Sequence, residues 1–347
     1  MNRVNLNFQG PVVSDETVLY HIYLCCCQPY IQLPTLAHMN KLILFHSFLF
    51  LIIANECVSQ IPKVSSGTIQ QFPNFQSKYV AARNIDVWFP PNYNKKRKYP
   101  VLYMQDGKAL FDSTIMWNNQ EWGVDETAAR LLRQNKIKEC IVVGIWNSEA
   151  TRQVDYFPQK AFELLTPTQQ SAYYEAHIGD RQLLVGKVQS DKYLKFLVQE
   201  LKPFIDSSFN VFTDAKNTFV AGSSYGGLIT LYAICEYPNI FGGAACLSTH
   251  WPGILTNENN PIPAAIMAYL KENLPTPPNH RIYFDYGTAT LDSLYKPIQQ
   301  QVDKIMKSKR YKKKNWITKE FIGADHTEKS WGKRLYIPFI FLLANRD

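Results

Sequence analysis

The chain has 347 residues, of which 46% are hydrophobic, and its 20 Tyr, 20 Phe and 7 Trp can form a large aromatic-rich core, so a folded globular protein is expected. The formal net charge of +8 does not indicate a nucleic-acid partner, because six basic residues fall in the single run 307–314 without a recognition helix, zinc knuckle or stacking platform. The seven cysteines show neither metal-ligand spacing nor a disulfide framework, so neither a metal nor a cofactor is expected.

The first 59 residues predict a leader. Residues 1–38 show neither helical nor strand periodicity and contain three consecutive cysteines. At Met39 the pattern changes, and Lys41 is followed by a stretch of thirteen largely apolar residues. A short basic start before such a stretch is typical of a secretory signal peptide, and thirteen residues are too few to span a bilayer. We therefore expect Met39 to be the initiator, residues 1–38 to be an unstructured upstream extension, and residues 39–59 to be a signal peptide.

This leader predicts an exported protein. We expect cleavage after Ala54 or Ser59 and a mature domain over residues 60–347 that acts outside the cytoplasm without a membrane span. Two alternatives stay open. The apolar stretch could be a buried N-terminal helix, or Cys57 could carry a lipid, although Glu56 before it argues against a lipoprotein cleavage site.

Eight short segments beyond the leader have strand patterns. Segment 82–89 alternates apolar and polar residues, which is typical of a strand with one face in water. Segments 99–104 and 140–146 are apolar almost throughout, as buried strands are, and a helical pattern over about 124–133 separates them. Strand, helix and strand in this order predict an α/β fold whose mostly parallel, doubly wound sheet has helices on both faces. The other predicted strands are 67–72, 218–222, 243–248, 281–286 and 316–321, and further helices are expected at about 191–205, 228–235 and 335–343.

Residues 151–190 form a long connection with a looser pattern. The segment contains several aromatic residues and His177. Ordered connections of this length are often functional. We therefore expect this segment to lie on the ligand side of the sheet, near the active site.

The run Gly222-Ser223-Ser224-Tyr225-Gly226 matches the pattern Gly-x-Ser-x-Gly. Its glycines lack Cβ atoms, so a strand and a helix can approach closely while the central serine is held in a strained turn with its hydroxyl outward. The pattern alone also occurs by chance. The apolar strand before it and the helical pattern after it remove most chance matches, so Ser224 is the candidate nucleophile.

A serine hydroxyl is a weak nucleophile, and histidine is the side chain best suited to accept its proton near neutral pH. Three of the seven histidines lie in the leader, while His177 precedes the Ser224 turn, His250 ends a predicted strand and His280 opens one. His326 lies in the loop after the last predicted strand. Because the carboxyl ends of parallel strands meet at one crevice, His326 is the predicted base.

The acid that orients the base should lie between nucleophile and base and should follow a strand. Asp292 follows a turn at the carboxyl end of a predicted strand. Asp285 lies within that strand, and Asp325 is too close in sequence to His326 to approach its ring easily. Asp292 is therefore the predicted acid, and the other two aspartates are the alternatives.

The oxyanion formed during attack needs preorganised donors. The backbone N–H after the nucleophile, that of Tyr225, is one expected donor. The loop after the third strand should supply the other, and Gly107 and Lys108 are the natural candidates, although Gly107 could be only a turn glycine.

Four parts of the chain form a recognisable set: Arg83–Pro90, Tyr99–Gly107 with Leu110–Asp112, Ala221–Gly227 and the late His326. Together they resemble the α/β-hydrolase serine esterases that include esterase D, enterochelin esterases and feruloyl or acetyl-xylan esterases. The resemblance covers about residues 65–345. One departure is that the family usually has His where this chain has Gln105 before Asp-Gly, which puts any side-chain role there in doubt.

This resemblance implies an α/β-hydrolase fold and a serine esterase with Ser224 as nucleophile, His326 as base, an acid placed like Asp292 and an oxyanion hole near Gly107. The expected substrate is a small-molecule or carbohydrate ester, of a carbohydrate-linked, aryl or siderophore type. Trp251 and Trp117 could line an aromatic acyl or sugar pocket, or they could be core residues. An acyltransferase and a non-catalytic ligand-binding protein on the same fold are the alternative functions.

Overall fold

The computed structural model describes residues 60–277 and 279–344. The predicted upstream extension and signal peptide, residues 1–59, therefore lie outside the described residues. Within the described part of the chain, no helix is both long and apolar enough to cross a membrane.

Ten strands form the β-structure of the described residues. They are β1 Thr68–Phe75, β2 Arg83–Phe89, β3 Val101–Gln105, β4 Ile141–Ile145, β5 His177–Ile178, β6 Arg181–Gln182, β7 Thr218–Ser223, β8 Gly243–Leu247, β9 Arg281–Gly287 and β10 Trp316–Phe321. Eight of them make one sheet in the order β1-β2-β4-β3-β7-β8-β9-β10, and β5 and β6 form a separate small hairpin.

The large sheet is mostly parallel. Strand β2 runs antiparallel to both β1 and β4, and all pairings from β4 to β10 are parallel. Every residue of β3, β4, β7 and β8 is buried, because helices cover both faces at the centre of the sheet. The predicted strands and the mostly parallel arrangement are confirmed.

The side chains of β3 show how the two faces are built. Val101 and Tyr103 belong to one hydrophobic cluster, and Leu102 and Met104 belong to the other, as the alternation of side chains along a strand requires. The helices are α1 Val124–Arg133, α2 Arg152–Tyr156, α3 Gln159–Phe162, α4 Pro167–Glu175, α5 Ser190–Lys195, α6 Lys202–Ser208, α7 Tyr225–Glu236, α8 Ile262–Asn273, α9 Lys296–Ser308, α10 Glu328–Arg334 and α11 Tyr336–Leu343. The first cluster includes residues of α7, α8 and α9, and the second includes residues of α1 and α11.

The long connection 151–190 is folded, and it contains α2, α3, α4 and the β5–β6 hairpin. Helix α4 begins with a capping box. The Thr166 hydroxyl accepts from the Gln169 N–H at 3.3 Å, and the Gln169 side chain accepts from the Thr166 N–H at 2.9 Å. Because Tyr156, Phe157 and other aromatic side chains of the connection are buried in the first cluster, the connection adds a layer to the protein core.

Candidate active site

Ser224 occupies the turn between β7 and α7 in a backbone conformation that non-glycine residues rarely adopt. Its φ is 56° and its ψ is −124°. A Cβ atom at Gly222 would lie 2.5 Å from the carbonyl oxygen of Gly226, so this close approach of strand and helix requires glycine. The Ser224 N–H also donates to the Leu247 carbonyl oxygen at 3.0 Å, which ties the turn to β8. Backbone strain held by its surroundings in this way is typical of functional sites.

The turns after β9 and β10 are joined at the same carboxyl edge of the sheet. The N–H groups of Thr288 and Ala289 donate to the Ala324 carbonyl oxygen at 3.1 and 3.0 Å. The His326 N–H donates to the Thr290 hydroxyl at 3.0 Å. These bonds position the His326 backbone over the end of β9.

Asp292 and His326 form a close pair. The Nδ1 atom of His326 lies 2.5 Å from Asp292 Oδ1. Asp292 is fully buried, and its Oδ2 accepts from the Gly287 N–H and the Ser248 hydroxyl, each at 2.5 Å. The His326 side chain is 15% exposed. A carboxyl group that accepts from Nδ1 favours the tautomer in which Nε2 is free to accept a proton.

The two alternative aspartates have other partners. Asp285 is 1% exposed and accepts from Arg334 Nη2 at 3.0 Å. Asp325 accepts from the Thr327 hydroxyl at 2.8 Å, near the start of α10. Neither carboxylate is hydrogen-bonded to His326 among the described contacts, so Asp292 is the acid that this geometry favours.

The two expected oxyanion donors follow the neighbouring strands β3 and β7. Tyr225 is the first residue of α7, and Gly107 is the first residue of a short 3₁₀ helix that also contains Lys108. The first N–H groups of a helix have no acceptor within it. A Cβ atom at Gly107 would lie 2.6 Å from the carbonyl carbon of Gly144, so glycine allows this loop to pack directly against β4.

His250 contacts the Ser224 turn directly and is linked to His326 through Tyr295. Its N–H donates to the Ser224 carbonyl oxygen at 3.1 Å, and its Nδ1 lies 2.8 Å from the Tyr295 hydroxyl. The Tyr295 ring is in turn 5.8 Å from the His326 ring. Burial, with smaller effects of His326 and Arg152, lowers the pKa of His250 to about 3. His250 is therefore neutral near pH 7 and unsuited to act as the base there.

Arg152 brings the long connection to this edge of the sheet. Its Nε and Nη2 donate to the two oxygens of Asp106, each at 2.7 Å. Asp106 has a φ of 57° and directly precedes Gly107. The guanidinium carbon lies 5.9 Å from the centre of the Tyr225 ring. Arg152 was not among the residues predicted for the site, and His250 was considered only as a possible base, from its position after β8.

The two tryptophans proposed for the pocket differ in exposure. Trp251 is fully buried, and its indole N–H donates to Gln299 at 3.1 Å, so it is a core residue. Trp117 is 90% exposed. The neighbouring Asn118 donates to Glu328 at 3.0 Å in the first turn of α10, two residues beyond His326. This bond places the Trp117 loop at the edge of the candidate site.

Comparison with known sequences links the chain to esterases. Residues 80–342 match the model of the family described as "Putative esterase". The chain is 26% identical over 171 residues to the uncharacterized protein YbbA of Bacillus subtilis, with 49% of this chain and 58% of YbbA covered. It is 27% identical over 196 residues to an endo-1,4-beta-xylanase/feruloyl esterase of Xylanibacter ruminicola, with 53% of this chain and 22% of that protein covered. The chain thus spans less than two thirds of the length of these relatives.

Solved structures share the architecture. A BES protein from Bacillus cereus aligns with a TM-score of 0.57 at 15% identity, covering 83% of this chain and 98% of its own. A CE1 ferulic acid esterase from Anaeromyces mucronatus gives 0.54 at 18% identity, covering 82% and 92%. The enterobactin esterase of Shigella flexneri gives 0.54 at 16% identity, covering 81% and 61%. At these identities the likeness is one of fold, and it confirms the predicted α/β-hydrolase fold.

Proposed function

The chain belongs to the family described as "Putative esterase", and from this premise we propose that it hydrolyses carboxylic esters through an acyl-enzyme on Ser224. One observation carries the proposal. The strained Ser224 turn lies at the same sheet edge as His326, whose Nδ1 is 2.5 Å from the buried Asp292. A nucleophile, a base and an orienting acid in these positions suit acyl transfer.

The proposed reaction has two steps. His326 Nε2 accepts the Ser224 proton as Oγ attacks the ester carbonyl, and the N–H groups of Tyr225 and Gly107 stabilise the resulting oxyanion. When the intermediate collapses, the bond between carbonyl carbon and alcohol oxygen breaks, and His326 returns the proton to the leaving alcohol. Water then attacks the acyl-enzyme with His326 as base, which releases the carboxylic acid and regenerates Ser224.

Two alternatives differ from this reaction in defined ways. An acyltransferase would use a second alcohol instead of water in the second step. A non-catalytic binding protein would need neither the strained serine nor the buried carboxylate beside His326, so the presence of both disfavours it.

We propose an aryl or carbohydrate-linked ester as the substrate class. Ferulic acid esterases and an enterobactin esterase are among the structural neighbours. The exposed indole of Trp117 at the edge of the site offers a surface on which an aromatic or sugar ring can stack.

A panel of esters tests both the reaction and the substrate class. Purified protein should hydrolyse p-nitrophenyl acetate and should act on at least one of methyl ferulate, acetylated xylan and a catechol siderophore. Trp117→Ala should lower kcat/KM for the preferred larger ester by about tenfold and leave p-nitrophenyl acetate nearly unchanged, because stacking contributes only to binding of the larger group. Phe212→Ala is the matched control, since Phe212 is a partly exposed aromatic residue at the opposite edge of the sheet. Absence of hydrolysis across the panel would contradict the proposed reaction.

We also propose that the protein is exported. The basic start and apolar stretch that follow Met39 support this proposal. Protein recovered from its native host should begin between about residues 55 and 60. An intact mass that retains Met1 in cytoplasmic protein would contradict export.

A further inference from the structure

A buried group of two carboxylates and one guanidinium adjoins the Asp292–His326 pair. Asp285, Asp292 and Arg334 are each at most 3% exposed. Arg334 Nη2 lies 3.0 Å from Asp285 Oδ1 and 3.9 Å from Asp292 Oδ2. The Ser248 hydroxyl accepts from Arg334 at 2.8 Å and donates to Asp292 at 2.5 Å. The four side chains therefore form one connected polar network.

The network contains two acidic side chains and one basic side chain. Both carboxyl groups face the single guanidinium of Arg334, and the shorter contact of Arg334 is with Asp285. Burial raises the pKa of Asp285, and the adjacent Arg334 opposes that effect only in part. The charge of Asp292 is then left without a full counter-charge, and a buried carboxylate in that state stabilises a protonated neighbour.

We propose that Asp285 and Arg334 set the proton affinity of His326, with Asp285 neutralising Arg334 so that the charge of Asp292 remains available to the imidazolium. This inference rests on the proposed role of His326 as base. Asp285 and Arg334 are positioning residues, because they act through Asp292 and make no hydrogen bond to His326 among the described contacts. Protonation of His326 during attack completes the charge balance of the buried group, so the proton transfer leaves no unpaired charge there.

Other titratable groups near the network carry no net charge into it. Tyr283 donates to Asp285 at 2.9 Å, and burial raises the pKa values of Tyr283 and Tyr295. His250 is neutral near pH 7, as argued above, and Arg152 is paired with Asp106. The remaining ionisable groups of the turn before α10 and of α10 itself are two acidic and two basic side chains, whose formal charges cancel: Asp325, Glu328, Lys329 and Lys333.

The test is a titration of the His326 ring by NMR in full-length protein labelled at histidine. The resonance is identified by its loss in His326→Gln. The variants are Asp285→Asn, which removes one negative charge, Arg334→Gln, which removes the positive charge, and Arg334→Lys, which keeps it. The acid limb of the pH profile of kcat/KM is recorded in parallel on p-nitrophenyl acetate.

The two charge-removing variants should shift His326 in opposite directions. Asp285→Asn should move the titration midpoint and the acid limb to lower pH by about half a unit or more, because Arg334 then opposes the imidazolium. Arg334→Gln should move both to higher pH by a similar amount. Arg334→Lys should stay near the wild-type midpoint. A loss of structure alone does not produce opposite shifts.

Asp155→Asn is the matched control. Asp155 is a buried aspartate 3.1 Å from Arg83 of β2, and β2 is five strands from β9 in the sheet order. Its variant should be destabilised and should leave the His326 midpoint unchanged.

The inference is overturned if the midpoints of Asp285→Asn and Arg334→Gln match that of wild type or move in the same direction. If Asp285→Asn does not fold, an unchanged or lower midpoint in Arg334→Gln overturns it. Opposite midpoint shifts in a protein that hydrolyses no ester would instead support the electrostatic inference and contradict the proposed function.

Discussion

Replacement of Ser224 by Ala is expected to lower kcat/KM for the best ester by about three to six orders of magnitude. The hydroxyl oxygen is the atom that forms the proposed acyl bond, and Ser224 is the residue in the strained conformation before α7. The residual rate should come from binding and from the oxyanion donors alone. Steady-state hydrolysis under conditions that exclude wild-type contamination gives the measurement.

Ser223→Ala is the matched control for this substitution. Ser223 is the last residue of β7, directly before the strained position, and it is buried. Its loss should change kcat/KM by less than about tenfold, since its hydroxyl has no role in the proposed reaction. A severe loss in Ser223→Ala together with near-normal activity in Ser224→Ala would show that Ser223, not Ser224, is the nucleophile.

Replacement of His326 by Gln is expected to be nearly as severe as loss of Ser224, because nucleophile and base act as one unit. Gln cannot accept the serine proton, although it can occupy similar space. The melting temperature should stay close to that of wild type, since His326 lies in a turn at the edge of the site. Activity and thermal unfolding are measured on the same preparation.

Asp292→Asn should be milder, with a loss of about two to four orders of magnitude, because Asn cannot stabilise the imidazolium but leaves the base in place. Asp285→Asn should keep most of the activity at its own pH optimum. Near-full activity in Asp292→Asn with a severe loss in Asp285→Asn would show that Asp285, not Asp292, is the acid.

The order of elements and the parallel sheet could be predicted because their signals are local. Strands β3 and β4 are apolar almost throughout, and the helical pattern between them matches α1. The helix expected over 191–205 exists as α5 and α6 joined by a π-helical stretch, Phe196–Leu201. Pro203 follows that stretch and lacks an N–H, which is a local reason for irregular helix geometry.

The connection 151–190 shows where local signals were too weak. Its helices are short, and the exposed residues of α4 alternate irregularly with half-buried ones, so no helical period stood out. These elements are fixed by contacts of residues such as Tyr156 and Phe162 with the distant first cluster. Long-range packing of this kind leaves no periodic trace in the sequence.

In the candidate site, too, some features have local sequence signals and others depend on contacts between distant parts of the chain. Gly-x-Ser-x-Gly and a histidine after the last strand are recognisable from position and pattern. The network of Ser248, Asp285 and Arg334 unites residues from β9, α10 and the end of β8 that are far apart in the sequence. Arg334 follows Lys333 in a helix with several charged residues, so nothing local in the sequence marks it as buried. The full burial of Trp251 also depends on such distant neighbours, Gln299 and Phe284.

A serine-directed phosphonate tests the proposed acyl-enzyme most directly. The wild-type protein should gain the mass of one adduct, peptide mapping should place that adduct on Ser224, and Ser224→Ala should gain none. His326→Gln should be labelled far more slowly, because the hydroxyl then lacks its base. An adduct on another residue, or labelling that persists in Ser224→Ala, would contradict the assignment of Ser224 as the nucleophile.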